Sequence, residues 1–362
     1  MRYWPADVPA RRSEYPTVRV LVTGASSLIG AGIARALAER GDDVVCFQRS
    51  LAGGPARSGP EPDGSNPTAS NVLEQHLGDV RDATALGAAA VRCDAVVHLA
   101  AKVGVVGSWE EYRSINVDGA ANLIAVAQEH GIAKVVHVSS PSVGHSGGAL
   151  VGAGAGRPVT GRKRAHYAET KALAEILVIG AASDELGVVA VRPHLVWGPG
   201  DTQLVGRIVD RARAGRLALV GGGRALVDTT YIDNAVSALV AALDAVNPRA
   251  RCSGQAYVIA NGEPRPIRDL IAGICAAAGV DFAPRDVPLA VGTRVGALVE
   301  RLWPLLRRDD EPPLTQFLAE QLGTAHWFDP QPAATDLGWT STITIDEGLR
   351  SLADWFANSS AE

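Results

Sequence analysis

The sequence predicts an α/β protein: a doubly wound parallel sheet covered by helices on both faces, followed by a smaller mixed C-terminal lobe. Two observations carry this. Short β-branched runs alternate with Ala- and Leu-rich stretches through the first half of the chain. A glycine-bearing turn follows the first run directly and opens the first helical stretch.

The strand runs are Val18–Thr23, Asp43–Gln48, Val72–Leu77, Ala95–Leu99, Lys134–Val138 and Val188–Arg192. They are apolar nearly throughout, as strands buried on both faces must be. Ala31–Arg40 and Asn122–His130 carry helical patterns between them, and Ala256–Ala260 reads as a late strand of the same sheet. Gly53–Ser70, rich in Gly, Pro and Ser, is expected to be a surface loop. Gly144–Gly161 is richer still in glycine and is also expected to be a loop, followed by the basic run Arg162-Lys163-Arg164. That run reads as solvated, with attraction of an anionic substrate group as the sharper alternative.

After Trp197 the chain becomes irregular and Pro-rich, with one amphipathic stretch at Val291–Trp303. Val291, Val295, Leu298, Val299 and Leu302 follow helical spacing. The stripe is expected to pack on the small lobe, with a lid or interfacial helix as the alternative. Residues 1–17, with three prolines and mixed charges, read as a loosely held arm.

Composition excludes several classes. The 362 residues are 47% hydrophobic and 20% charged, as in a globular enzyme. A net charge of −5 argues against nucleic acid as partner. Cys46, Cys93, Cys252 and Cys275 are dispersed, which fits reduced thiols in the cytoplasm with no disulfide frame and no metal site. The N-terminus lacks the apolar core of a signal peptide, and no uncharged run is long enough to span a bilayer.

The turn Gly24-Ala25-Ser26-Ser27-Leu28-Ile29-Gly30 points to a dinucleotide. Glycine permits a tight turn and close approach to a pyrophosphate, at a helix N-terminus whose N–H groups bind anions. Ser27 stands where a middle glycine often stands and is small enough to keep that approach. The second strand ends Gln48-Arg49-Ser50 without the acid that would grip a ribose 2′-hydroxyl. A neutral amide followed by Arg49 accepts a 2′-phosphate, so NADP(H) is the expected cofactor and NAD(H) the second choice. Asp79 and Val80 follow the third strand and are placed for the adenine, although Asp79 could equally be a helix N-cap. Leu99, Ala100 and Ala101 are small enough to lie along the cofactor. The fold is thus Rossmann-type: residues 18–195 form the dinucleotide-binding domain, 228–260 return to it, and 196–227 with 261–362 form the substrate lobe.

Tyr167 and Lys171 lie one helical turn apart on one face, where a fixed cation would lower the phenol below its normal pKa of ~10. With Ser140 at the end of the fifth strand they form a set that could deliver a proton to a carbonyl oxygen.

Together these residues resemble the extended short-chain dehydrogenase/reductase superfamily, and within it the 3β-hydroxysteroid dehydrogenase branch. The stretches that carry the likeness are His98–Lys102, Val138–Val143, Arg192–Asp201 and Val227–Asn234. Glu300–Arg307 and Pro312–Leu322, in the variable lobe, are similar to the 2-alkyl-3-oxoalkanoate reductases of olefin and β-lactone biosynthesis. The resemblance implies NADPH-linked reduction of a long-chain β-keto acid. It assigns catalysis to Ser140, Tyr167 and Lys171, with Lys171 on the nicotinamide ribose and Ser142 as an alternative donor. Pro193 and His194 should lie near the nicotinamide carboxamide, His194 either touching substrate or simply packed. Asn116 is expected to brace the Lys171 region or to be a buried structural amide. The resemblance implies a small hydrophobic acyl substrate and a homodimer, and leaves peripheral membrane contact open. Alternatives are a sterol dehydrogenase of the same branch, a nucleotide-sugar epimerase or dehydratase, and a dinucleotide sensor without catalysis. Dehydratases carry an acid just after the Ser/Thr, where this chain has Pro141 and Ser142.

Overall fold

Seven parallel strands organise the computed structural model, which describes residues 17–50, 73–104, 106–144, 148–161, 165–303 and 315–359. They are β1 (Arg19–Thr23), β2 (Asp43–Gln48), β3 (Glu74–Leu77), β4 (Ala95–His98), β5 (Lys134–Val138), β6 (Gly187–Pro193) and β7 (Gln255–Ile259). Their order across the sheet is β7-β6-β5-β4-β1-β2-β3. The chain runs outward from β1 to β3, then returns to place β4 on the other side of β1. That reversal makes the crevice at the C-terminal ends of β1 and β4 the place where such sheets bind ligands.

Alternate residues of each strand enter opposite cores, as the two-residue period requires. Val20 and Val22 join one apolar cluster, while Leu21 between them joins the other. Five helices cover the faces: α1 (Leu28–Arg40), α2 (Ala83–Ala90), α3 (Gly119–Glu129), α4 (His166–Gly180) and α5 (Ile232–Ala245). Ile33 and Leu37 of α1 and Leu239 of α5 fill the first cluster; Leu86 of α2, Leu123 of α3 and Val178 of α4 fill the second. Each such side chain, once buried, contributes about 1.5–3 kcal/mol.

The Gly-rich stretch between β5 and α4 is not wholly loop. Leu150–Ala153 forms a strand beside His326–Phe328 in a second, mixed sheet with Leu226–Val227 and Arg265–Pro266. Gly152, at φ +57°, makes the pairing possible: a Cβ there would press to 3.1 Å from the Trp327 ring. The segment is thereby docked on the C-terminal lobe. The expected arm before residue 17, the loop Gly53–Ser70 and the run Arg162-Lys163-Arg164 lie outside the described residues, as does the chain from 304 to 314.

The amphipathic stretch forms the helix Leu289–Leu302, but three residues of its apolar stripe face outward. Val291, Val295 and Leu298 are 48, 45 and 56% exposed. Gly292 and Gly296 face inward instead, and a Cβ on Gly296 would lie 2.5 Å from the backbone of Thr315 and Gln316. Small residues let two backbones approach, and that contact displaces the stripe outward.

Candidate active site

The cradle begins where β1 ends. Gly24 has φ +73°, and a Cβ on it would stand 2.8 Å from the backbone nitrogen of Ala100, just beyond β4. Only glycine lets the turn run this close. Ser27 is the N-cap of α1: its Oγ accepts from the Gly30 N–H at 3.0 Å and donates to the Gly24 carbonyl at 2.9 Å. Helix α1 therefore starts at Leu28, three residues before the apolar pattern suggests. Its first N–H groups have no partner within the helix and carry its positive dipole end.

At the end of β2, Gln48 is buried and donates through Nε2 to Gln75 Oε1 at 3.1 Å. Its own Oε1 is buried with no partner among the described residues. Arg49 and Ser50 are exposed beside it. The Gly78 N–H donates to the Gln48 carbonyl at 2.9 Å, which brings Asp79 alongside. Asp79 is gripped by Arg81 through Nε at 2.9 Å and a terminal nitrogen at 2.7 Å, holding its carboxyl below the usual range. It does not cap α2. Asp82 does, accepting from Thr84 and Ala85 N–H groups at 3.0 Å. Val80 is buried against Gly119.

The reactive set sits at the ends of β5 and α4. Ser140 leads into a 3₁₀ turn, Pro141–Gly144, that turns Ser142 back onto it. The Ser142 hydroxyl donates to Ser140 Oγ at 2.9 Å. Ser140 in turn hydrogen-bonds the Tyr167 phenol. The three hydroxyls thus form one chain.

Tyr167, Lys171 and Glu175 follow one face of α4 at four-residue spacing. Lys171 is buried, and its ammonium turns down to the sheet, donating to the Val138 carbonyl at 2.7 Å and lying 3.5 Å from His137 Nε2. Burial lowers its pKa to about 8, with Glu175 acting in the opposite direction. The Tyr167 phenol is raised above its ordinary value by burial, and only the Ser140 bond pulls it down. The expected lowering by Lys171 is not found: the shared face holds, but the ammonium is aimed at Val138.

Asn116 lies at the centre of a π-helical turn, Ser114–Asp118. Such turns often mark functional positions. Its Oδ1 accepts from the Lys102 N–H at 2.7 Å, and its Nδ2 donates to Thr170 Oγ1 at 3.0 Å. It thus ties the segment after β4 to the residue preceding Lys171 by a direct bond.

Pro193 ends β6, and His194 follows, 4% exposed. Its Nδ1 donates to the Asp228 carbonyl, and its ring meets Phe328 edge-on with centroids 5.1 Å apart. His194 therefore packs the sheet against the lobe. Nearby, a cavity of about 390 Å³ is lined by Pro141, Gly144, Leu150, Ala155, Val258 and Phe328, among others.

The family model described as the NAD dependent epimerase/dehydratase family matches residues 20–260, from β1 through β7. This chain belongs to that family. The 2-alkyl-3-oxoalkanoate reductase of Stenotrophomonas maltophilia (strain K279a) is 45% identical over 337 residues, covering 92% of this chain and 98% of the relative. The 3-beta-hydroxysteroid dehydrogenase of Mycolicibacterium neoaurum is 29% identical over 94% of this chain and 92% of its own length. Among solved structures, an NAD+-bound Bordetella bronchiseptica enzyme superposes with a TM-score of 0.68 at 19% identity, covering 95% of this chain and 99% of that one. The epimerase/dehydratase fold is thus the Rossmann-like one expected, and the chain is an oxidoreductase of a family that uses a nicotinamide cofactor. No helix among the described residues is long and apolar enough to cross a membrane.

Two features of this family member escaped sequence reasoning. His137 hides within the apolar run of β5, and its signal is a lone imidazole on a buried central strand. Glu175 and Arg192 form a buried ion pair with Nε 2.8 Å from Oε2. The available signal was a charge at four-residue spacing from Lys171.

Proposed function

We propose that this protein reduces the 3-keto group of a 2-alkyl-3-oxoalkanoate, a long-chain β-keto acid, to the 3-hydroxy acid with NADPH. The observation that carries this is the 45% identity to the Stenotrophomonas reductase over 98% of that enzyme, variable lobe included. The local chemistry agrees with it. Ser140 and Tyr167 are bonded to each other at the C-terminal edge of the sheet, with Lys171 buried beneath.

The chain's own features fit a dinucleotide: the close approach of Gly24 to Ala100, the N–H groups opening α1, and the unpartnered Oε1 of Gln48. Gly24, Ser26, Ser27, Leu28, Ile29 and Gly30 would hold the pyrophosphate. Gln48, Arg49 and Ser50 would receive the 2′-phosphate, with Asp79 and Val80 at the adenine. Leu99, Ala100 and Ala101 would line the ring path, and Pro193 and His194 the carboxamide end. Preference for NADP(H) rests on the missing acid after β2 and on the exposed Arg49 guanidinium.

When bound, the nicotinamide supplies a hydride. Ser140 donates a hydrogen bond to the carbonyl oxygen as negative charge develops there. Tyr167 gives that oxygen its proton. A phenol raised by burial is fully protonated at neutral pH, which is the form reduction needs. Ser142 keeps the Ser140 hydroxyl aimed, and Lys171 places a positive charge at the ribose end of the site.

A sterol dehydrogenase is the second reading, favoured by the 29% identity to the Mycolicibacterium enzyme. It would use the same Ser140, Tyr167 and Lys171 in the opposite direction, so the two readings differ in substrate and cofactor rather than in these residues. Nucleotide-sugar dehydration lacks its acid at Pro141 and Ser142. A panel pairing NADPH with 2-alkyl-3-keto acids and NAD+ with 3β-hydroxysterols separates the two. Turnover confined to the sterols would reject the keto acid reading.

A further inference from the structure

Beneath Lys171, two imidazoles are buried one behind the other. His137 on β5 and His98 on β4 are each 1% exposed, with ring centroids 5.4 Å apart. His98 shares a hydrogen bond with Thr23 Oγ1 at 2.7 Å. His137 turns Nε2 toward Lys171 Nζ at 3.5 Å, while its Nδ1 is buried without a partner among the described residues.

An ammonium has only donors, so Nε2 must be the acceptor and the ring proton must sit on the stranded Nδ1. A buried donor left unpaired costs free energy that a leucine or phenylalanine here would not. On its other side the ring meets the Lys171 ammonium at 3.5 Å. We propose that His137 is a positioning residue for Lys171: its neutral Nε2, with the Val138 carbonyl, fixes two of the three ammonium protons and leaves the third for the cofactor ribose. This rests on the role given to Lys171 above.

Among the described residues, the groups facing this ammonium are few. Tyr167 and Glu175 share its helix, His137 and His98 face it from β5 and β4, and Arg192 on β6 neutralises Glu175. Burial and the Lys171 charge hold His137 well below its ordinary pKa, so it remains an acceptor across the working range. Loss of that acceptor disfavours the charged lysine. Cofactor binding should then weaken from a lower pH upward.

The test compares wild type with His137→Phe, His137→Leu and His137→Gln. Phe keeps the ring against His98, Leu covers a packing failure of Phe, and Gln restores an acceptor. NADP+ affinity is titrated against pH by intrinsic fluorescence, independently of turnover, and kcat/KM is profiled alongside. In Phe and Leu the basic-side midpoint should fall by about one pH unit, with kcat down roughly tenfold and keto acid KM little changed. Gln should recover most of both. A wild-type midpoint in Phe and Leu, or a Gln variant displaced as far as Phe, would overturn the role. Tyr167→Phe run in parallel separates the two claims. Full activity there sinks the proposed reduction. Inactivity there with wild-type behaviour of His137→Phe sinks only the positioning role.

Discussion

Arg192 on β6 and Glu175 on α4 are paired where water does not reach, at 1% and 0% side-chain exposure. The guanidinium also donates to the carbonyls of Ala155 and Gly156, so one side chain joins the sheet, the helix bearing Tyr167 and Lys171, and the Gly-rich segment. Removing one member strands the other charge in the interior. Glu175→Gln should therefore destabilise the protein by about 3–5 kcal/mol. Urea unfolding measures it; a loss below 1 kcal/mol would mean the pair is solvated.

Gly24 and Gly41 both have positive φ, yet they should respond differently to alanine. A Cβ on Gly24 meets the Ala100 backbone at 2.8 Å, whereas nothing lies within 4 Å of one on Gly41. Gly41→Ala should cost roughly 1 kcal/mol of stability and leave cofactor affinity alone. Gly24→Ala should weaken NADPH binding at least about tenfold, because the turn must move away from Ala100. Fluorescence titration of both variants gives the comparison.

Lys171 should make the fold less stable than its uncharged replacement at neutral pH. Its folded pKa of about 8 lies below the unfolded value of ~10.4, so the unfolded chain binds the extra proton between those values. Stability attributable to this group is reduced below about pH 8 and recovers as pH rises through that window. Lys171→Met should be more stable at pH 7 by about 2–3 kcal/mol, with the difference closing near pH 10. Denaturant midpoints at pH 7 and pH 10 check the sign.

Cofactor choice is predicted to lie at the end of β2. Arg49→Ala should raise the KM for NADPH about tenfold and leave that for NADH nearly unchanged. Gln48→Asp should shift the NADPH to NADH ratio of kcat/KM in the same direction, by repelling a 2′-phosphate. Equal effects on both cofactors would point to local unfolding rather than selectivity.

The sheet was legible because its inner strands, buried on both faces, leave nearly unbroken apolar runs; the edge strand β3, Glu74–Leu77, is polar and exposed, yet each expected run matches a strand to within two residues. Gly24 and Tyr167 were legible because local spacing alone defines a turn and a helix face. The strand Leu150–Ala153 was not, since Gly152 and the glycines around the strand mimic a loop and its partner, His326–Phe328, lies far along the chain. The exposed stripe of Leu289–Leu302 was misjudged because amphipathicity cannot say that Gly292 and Gly296 make the closer contact. The phenol's direction was missed for a similar reason. Four-residue spacing places Lys171 below Tyr167, but the Val138 carbonyl decides where the ammonium points.

The most direct measurement is NADPH oxidation with a racemic 2-alkyl-3-keto acid, by wild type and Tyr167→Phe, with the product diastereomers resolved. Wild type should yield the 3-hydroxy acid. Tyr167→Phe should bind NADPH normally and lose at least about a hundredfold in kcat, the scale of a lost general acid. Wild type inactive on every keto acid in the series, or Tyr167→Phe turning over at the wild-type rate, would contradict the proposed reduction.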